Sequence, residues 1–92
     1  MLSERIKALR QKNKMSQVEL ADKLNVTKQC ASNWENDNIQ PSVEMLVRIA
    51  KLFSVSTDYL LGLDDKRYIE VTGLTEEHIA HVQAIINDIR NK

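Results

Sequence analysis

The stretch that decides the fold is residues 16–36, which read SQVELADKLNVTKQCASNWEN. Ser16, with Glu19 three residues later, has the pattern of a helix capping box, and the apolar residues behind it recur at helical spacing. Asn25 suits the left-handed position that ends a helix, and Thr27 suits the cap of the next helix. The stretch therefore predicts two short helices joined by a tight corner.

The second of these helices, predicted over residues 28–36, has two unlike faces. Ala31 and Trp34 lie three residues apart, so both face one side, which we expect to be the core. The opposite side carries polar side chains, namely Lys28, Gln29, Ser32 and Asn33.

That polar face has the chemistry of DNA recognition. A helix fits the major groove, and its first turn points at the base edges. Amides such as those of Gln29 and Asn33 can pair with adenine through two hydrogen bonds, while Lys28 can donate to guanine or to phosphate. The free N–H groups at the two helix starts, around Gln17 and Lys28, suit phosphate groups.

Three more short helices are predicted in residues 1–63, which makes five in all and an all-α domain. Ser3 is the candidate N-cap of the first, Ser42 caps the fourth, and Gly62 ends the fifth. Residues 64–92 then form an appendage. Tyr68–Thr72 alternates and is β-branched, which predicts either a short strand or an extended arm.

A final helix is predicted to begin after Thr75. Its apolar residues recur at spacings of three and four and form one stripe: Ile79, Val82, Ile86 and Ile89. Such a stripe needs a partner. It either folds back on the five helices or joins two subunits. We favour the second, with the arm residues Tyr68, Ile69 and Val71 pairing across a two-fold axis.

Composition restricts the remaining function classes. Basic and acidic residues balance at 13 each, but residues 1–63 carry nine against seven, a net of +2, and residues 64–92 carry four against six, a net of −2. One cysteine allows no internal disulfide and fits a reducing cytoplasm. The start lacks the apolar segment of a signal peptide, and no apolar run would span a membrane. We therefore expect a cytoplasmic protein.

Chemical sites are not expected. The chain has no phosphate-binding glycine loop, no nucleophile–base pattern and no paired zinc-ligand spacing, so we predict no enzyme, no metal and no cofactor. His78 and His81 lack a third ligand and are read as a solvated face. Cys30, inside the predicted recognition helix, could respond to oxidation, but a lone cysteine is more often a small apolar filler.

Taken together, the pattern resembles the lambda-repressor-like, or Xre, family of helix-turn-helix regulators. The matching residues are Gln17, Glu19-Leu20-Ala21, Leu24, Val26, Thr27, Ser32-Asn33-Trp34-Glu35-Asn36, Pro41, Leu46, Ile49-Ala50, Phe53-Ser54-Val55-Ser56 and Asp58-Tyr59-Leu60-Leu61-Gly62. They cover about two thirds of the chain, and their order and spacing together are specific.

The resemblance implies roles for individual residues. It assigns base reading to Lys28, Gln29 and Asn33 with Ser32 adjacent, and phosphate contact to Gln17, Thr27 and Asn36. It also implies an ion pair between Arg10 and Glu35 that ties the first helix to the recognition helix. Two departures stand out. Ala31 replaces a larger aliphatic residue, and the loop at residues 37–40 has no Lys or Arg.

The expected function is therefore a homodimeric transcriptional regulator, by default a repressor, that reads a near-palindromic operator in double-stranded DNA. The alternative is an antitoxin-like or antirepressor-bound interaction module, in which the C-terminal helix binds a different protein. A restriction–modification controller would share the same fold.

Overall fold

The computed structural model describes residues 1–92 and contains six α-helices and no β-strand. The helices are α1 (Leu2–Lys12), α2 (Gln17–Leu24), α3 (Lys28–Glu35), α4 (Val43–Phe53), α5 (Thr57–Leu61) and α6 (Glu76–Arg90). The predicted all-α architecture of five helices, an arm and a C-terminal helix is confirmed. None of the six helices combines the length and the apolarity that a bilayer crossing requires.

Hydroxyl side chains begin five of the six helices. Each accepts a hydrogen bond from the backbone N–H three residues on: Ser16, Thr27, Ser42, Ser56 and Thr75. The capping box predicted at Ser16 is complete, because Glu19 accepts from the Ser16 N–H at 3.1 Å. These caps satisfy amides that have no partner within the helix.

The exception is α1, where the predicted N-cap at Ser3 is wrong. The helix begins at Leu2 with Met1 in the cap position and no side-chain cap, and Ser3 is buried within the first turn. Leu2 and Ile6 both pack on the core, so tertiary packing extends the helix past its local start signal.

Twelve buried apolar side chains from the part of the chain that runs from α1 through α5 form one core. They are Ile6, Leu9, Leu20, Ala21, Leu24, Ala31, Trp34, Ile49, Ala50, Phe53, Val55 and Leu60. Within this five-helix body, α3 packs on α1 and α2, and α4 packs on α2 and α5. The underside of α3 is therefore held by two helices, which orients its opposite side outward.

Residues 64–92, here called the tail, are built differently. The arm Tyr68–Thr72 has no regular secondary structure, so the strand alternative is wrong for the single chain, in which no neighbouring strand is present to complete a ladder. α6 buries none of its residues. The molecule measures 44 × 25 × 24 Å with a radius of gyration of 15.4 Å, against about 12 Å for a compact domain of this length.

Candidate nucleic-acid interface

The corner between α2 and α3 positions the candidate interface. Asn25 adopts the left-handed conformation with φ 57°, and the next amide, that of Val26, donates to the Ala21 carbonyl at 2.9 Å. Ala21 is 1% exposed, and its small side chain lets the two helices approach closely. The corner thus ends α2 sharply. Thr27, directly after Val26, is the N-cap of α3.

The faces of α3 divide as the sequence predicts. Ala31 and Trp34 are buried in the core, at 0% and 4% exposure. The four predicted base-reading residues lie on the uncovered part of the helix: Lys28 and Gln29 are exposed, and Ser32 and Asn33 are half-buried. Trp34 therefore anchors the helix and is not available to stack on a base.

Two side-chain hydrogen bonds order the outer face of α3. Gln29 Nε2 donates to Asn33 Oδ1 at 3.0 Å, and Asn36 Nδ2 donates to Ser32 Oγ at 3.3 Å. The first bond leaves the Gln29 carbonyl oxygen, one Gln29 N–H and the Asn33 amino group unpaired. This amide pair therefore presents both donors and an acceptor in a restrained orientation.

The three predicted phosphate-contact residues occupy helix ends. Thr27 is exposed and caps α3 by accepting from the Cys30 N–H at 3.1 Å. Asn36 is the C-cap of α3, so the helix ends one residue before the predicted boundary. Gln17 opens α2 and donates to Glu35 Oε1 at 3.2 Å. The start of α2 is thus tied to the end of α3.

The Arg10–Glu35 ion pair is present and closely hydrogen-bonded. Arg10 Nε lies 2.6 Å from Glu35 Oε2 and Nη2 lies 3.0 Å from Oε1, with side chains 12% and 1% exposed. Hydrogen bonding to Glu35 raises the pKa of Arg10 above its ordinary value, against the opposing effect of burial. Arg10 also donates to the Met15 carbonyl at 2.8 Å, so it fixes the α1–α2 loop as well.

One supporting residue was missed by sequence reasoning. Arg48 of α4 donates from Nη2 to the carbonyl of Leu24 at 2.7 Å, which satisfies a free carbonyl at the end of α2. The only signal in the sequence is that Arg48 is a cation on a helix with a broad apolar face. A cation in that position is usually solvated. The bond braces the corner from α4.

The tail carries a second surface. A groove of about 870 Å³ lies between the arm and α6, and it includes six of the seven predicted dimerisation residues: Tyr68, Ile69, Val71, Ile79, Val82 and Ile86. Ile89, the seventh, is 63% exposed. In the arm, hydrogen bonds from Thr72 hold the pKa of Glu70 below its ordinary value.

Other candidate ligands lie apart from this geometry. Cys30 is half-buried and packs against the core as a small apolar residue would. His78 and His81 are exposed on α6. No group of three or more His, Cys, Asp or Glu side chains is arranged to hold a metal ion.

Comparison with known proteins agrees with this geometry. The helix-turn-helix family model HTH_3 matches residues 6–60. The HTH-type transcriptional regulator ImmR of Bacillus subtilis is 44% identical over 64 residues, which are 70% of this chain and 50% of ImmR. The chain thus spans about half the length of this relative.

Solved structures extend the likeness. The P22 c2 repressor, in a crystal structure with a synthetic operator, is 36% identical with a TM-score of 0.65, over 70% of this chain and 97% of that one. A transcriptional regulator from Listeria innocua shares the fold over 99% of this chain and 94% of its own, with a TM-score of 0.62 at 19% identity.

A five-helix body with an outward-facing third helix behind a tight corner defines a helix-turn-helix protein. This chain belongs to the lambda-repressor-like (Xre) helix-turn-helix family, which consists of DNA-binding transcription regulators and is not a class of enzymes.

Proposed function

We propose that this protein is a transcriptional repressor of the cytoplasm that binds a near-palindromic operator in double-stranded DNA as a homodimer. The observation that carries the proposal is the division of α3, where Lys28, Gln29 and Asn33 face outward while Ala31 and Trp34 are buried. The similarity to the P22 c2 repressor, which was crystallised with a synthetic operator, supports the same role for α3 here.

Base reading is assigned to the outer face of α3. The bond between Gln29 and Asn33 reduces the rotamer freedom that each amide would lose on docking. Their unpaired donors and acceptor match the N6 and N7 edge of adenine, and Lys28 matches the acceptors of guanine. Ser32 lies beside them and can donate or accept. A bidentate amide–adenine pair contributes about 1–3 kcal/mol of discrimination.

Backbone contact is assigned to the two helix starts. The amides of Gln17 and Val18 in α2, and of Lys28 and Gln29 in α3, precede the first capped amide of each helix and have no partner within it. Such amides bind phosphate, and the helix dipole favours the negative charge. The Thr27 hydroxyl and the side-chain amides of Gln17 and Asn36 would add hydrogen bonds that fix the register on the duplex.

An amide pair alone does not identify a base-reading surface. α6 carries the same arrangement, with Gln83 Nε2 donating to Asn87 Oδ1 at 3.0 Å. The difference is the setting, because only the pair of α3 follows the corner and sits beside free helix-start amides. The α6 pair therefore supplies a matched control.

The test is fluorescence anisotropy on an operator obtained by unbiased DNA selection. Gln29→Ala with Asn33→Ala should bind selected and scrambled duplexes with similar affinity, because the base contacts are lost while the phosphate contacts remain. Asn87→Ala removes the acceptor of the α6 pair from outside the groove and should keep the wild-type preference. Unchanged preference in the α3 double variant would contradict the assigned roles.

Salt dependence separates the two roles open to Lys28. The logarithm of the binding constant should fall linearly with the logarithm of salt concentration, with a slope of about −0.9 per phosphate neutralised. If Lys28 contacts phosphate, Lys28→Ala should reduce the slope by about one on every duplex. If it reads guanine, the variant should instead lose preference at one base pair.

Dimerisation is assigned to the tail. The groove between the arm and α6 is lined mostly by apolar side chains, and such a patch can pair with its own copy about a two-fold axis. Two recognition helices would then reach half-sites about 34 Å apart. Pairing of the two Tyr68–Thr72 arms would extend the same interface.

Sedimentation tests this assignment. Ile86→Glu, on the groove side of α6, should shift the protein to monomer at micromolar concentration and weaken binding to the palindrome while sparing a single half-site. Ala84→Glu, on the exposed side of the same helix, is the matched control and should stay dimeric. A wild-type protein that is monomeric at this concentration would contradict the homodimer.

That last outcome would favour the second candidate function. The observation behind it is the same unburied apolar face of α6, which a different protein could cover instead of a second copy. DNA binding would then be secondary to capture of that partner. Specific half-site binding by a strictly monomeric chain would point to this interpretation.

A further inference from the structure

The side chain of Arg5 joins three separate parts of the molecule. From its position on α1, Nη1 donates to the carbonyl oxygen of Tyr59 in α5 at 2.7 Å, and Nη2 donates to Asp65 Oδ1 at 2.8 Å. The guanidinium also lies 4.3 Å from the centroid of the Tyr59 ring. One arginine therefore connects the first helix, the fifth helix and the start of the tail.

The linker, residues 63–67 between α5 and the arm, makes further contacts with α5. The guanidinium of Arg67 lies 5.5 Å from the same Tyr59 ring, on which two cations thus converge. The amides of Leu63 and Asp64 both donate to the carbonyl of Asp58, at 2.9 and 3.3 Å. Asp64 in turn accepts from the Lys66 amide at 2.9 Å. These contacts hold the linker between the body and the arm against α5, so the linker does not move freely.

We propose that Arg5, Tyr59, Asp65 and Arg67, together called the clasp, fix the direction in which the tail leaves the body, and so set the half-site spacing that the dimer accepts. The proposal rests on the proposed function, since spacing has meaning only for a dimer on DNA. α1, which bears Arg5, also packs on α3 and pairs with it through Arg10 and Glu35.

α1 therefore connects the recognition helix α3 with the linker that leads to the proposed dimer surface. If the linker were flexible, the two α3 helices would adopt many separations, and the dimer would tolerate many operator spacings. A held linker restricts that separation. Arg5 acts here as a positioning residue, because it contacts the linker and not the bases.

The contacts of the clasp are individually modest. Asp65 is 91% exposed, so its pair with Arg5 is screened by solvent. A solvent-screened ion pair and a cation–π contact between the half-buried side chains of Arg5 and Tyr59 together correspond to a factor of about ten in an equilibrium constant. We therefore expect a small change in folding stability and an approximately tenfold loss of spacing selectivity when Arg5 is removed.

The first test measures tail direction without DNA. Spin labels at Gln11→Cys and Ala84→Cys, in a Cys30→Ser background diluted with unlabelled protein, report the distance from α1 to α6 within one chain. Both sites are exposed. Arg5→Ala should broaden the distance distribution, whereas Lys7→Ala should not, because this exposed lysine of α1 makes no ion pair or side-chain hydrogen bond in the structure.

The second test measures binding to operators whose half-sites are moved together or apart in single-base-pair steps. Wild type and Lys7→Ala should prefer one spacing, and Arg5→Ala should bind neighbouring spacings almost equally at unchanged dimer stability. Arg5→Lys, which keeps the charge but cannot donate to Tyr59 and Asp65 through one planar group, should fall between them.

The outcomes separate this proposal from the proposed function. An unbroadened distance distribution in Arg5→Ala overturns the clasp whatever the DNA results. A broadened distribution with unchanged spacing preference overturns its role in operator choice. A wild-type chain that binds no operator overturns the proposed function, and with it the spacing role, while the distance measurement still decides whether Arg5 holds the tail.

Discussion

The five-helix body and the tail both carry apolar residues at helical spacing, but the two regions differ in whether those residues are buried. All 14 buried residues of the molecule lie between Ser3 and Leu60, whereas the tail, which begins at residue 64, buries none. In α4 the apolar stripe meets α2 and α5, but in α6 the stripe formed by Ile79, Val82 and Ile86 faces a groove whose other side is formed by the short arm and by Ser54 at the end of α4. An apolar face that stays only partly covered within its own chain is suited to association.

The two regions also stabilise their helices differently. The body helices have 5 to 11 residues, which is too short for stability in isolation, so packing holds them. α6 has 15 residues, a Thr75 cap, two acidic residues in its first turn and Arg90 in its last turn. Local features therefore support α6, while tertiary contacts support the body.

The largest effect should come from breaking the buried ion pair of the body. Glu35→Ala leaves Arg10 enclosed without its carboxylate and removes the acceptor of Gln17, so the free energy of unfolding should fall by about 3–5 kcal/mol. Urea denaturation followed by circular dichroism measures the change. Glu77→Ala in α6 is the control, since that carboxylate is exposed and makes no ion pair or side-chain hydrogen bond.

A second variant shows whether charge or shape is responsible. Arg10→Met with Glu35→Leu replaces both partners by apolar groups, which is often close to neutral for a buried pair. The double variant should recover much of the lost stability. A loss below about 1 kcal/mol in Glu35→Ala would mean that the pair behaves like an ordinary surface ion pair.

A matched pair of isoleucines compares the two regions directly. Ile49 is 0% exposed in the core, so Ile49→Ala should lower the free energy of unfolding by about 2–5 kcal/mol at any protein concentration. Ile86 lines the groove of the tail, so Ile86→Ala should weaken dimerisation and affect the body little. Thermal denaturation at several protein concentrations separates the two effects. Equal, concentration-independent losses would show that α6 belongs to the core.

Removal of the tail is the next test. A chain ending at residue 67 keeps Asp65 and Arg67 but loses the arm and α6, neither of which contributes a buried residue. The truncated protein should unfold cooperatively, with a loss of about 1 kcal/mol or less relative to the monomer of residues 1–92. It should bind one half-site and no longer prefer the palindrome. An unfolded truncation product would show that the body cannot fold without the tail, which contradicts the division into two regions.

Most of the body could be predicted from local chemistry. The caps at Ser16, Thr27 and Ser42, and the left-handed Asn25, follow from residue types that satisfy helix ends in few other ways. The outward face of α3 follows from the placement of Ala31 and Trp34. These features depend on residues close together in the chain, which is the range over which sequence patterns are informative.

What could not be predicted depends on distant partners. The bonds from Arg48 to Leu24 and from Arg5 to Tyr59 and Asp65 join residues 24 to 60 positions apart, and a single arginine on a helix has no sequence pattern that names its acceptor. The strand alternative at Tyr68–Thr72 failed for a related reason. Its alternation fits a strand, but a strand also needs a neighbour that the chain does not provide.

The smallest effect compares two glycines, one at the edge of each region. Gly62 ends α5 with φ +78°, and an added Cβ would lie 2.6 Å from Met1 Cγ; Gly73 has φ +93° and open space around it. Gly62→Ala should destabilise the body by about 1 kcal/mol, because the left-handed conformation disfavours a side chain. The Met1 side chain is flexible and exposed, so it can move aside and add little.

Gly73→Ala carries a similar backbone strain, but the strain falls in a segment that can relax without disturbing any buried contact. Its thermal midpoint should match that of the wild type, and any change should appear in dimer affinity. If Gly73→Ala instead lowered the midpoint as much as Gly62→Ala, the arm would have to be folded cooperatively with the body. The boundary between the packed body and the association-dependent tail would then have to be moved from residue 64 to residue 73.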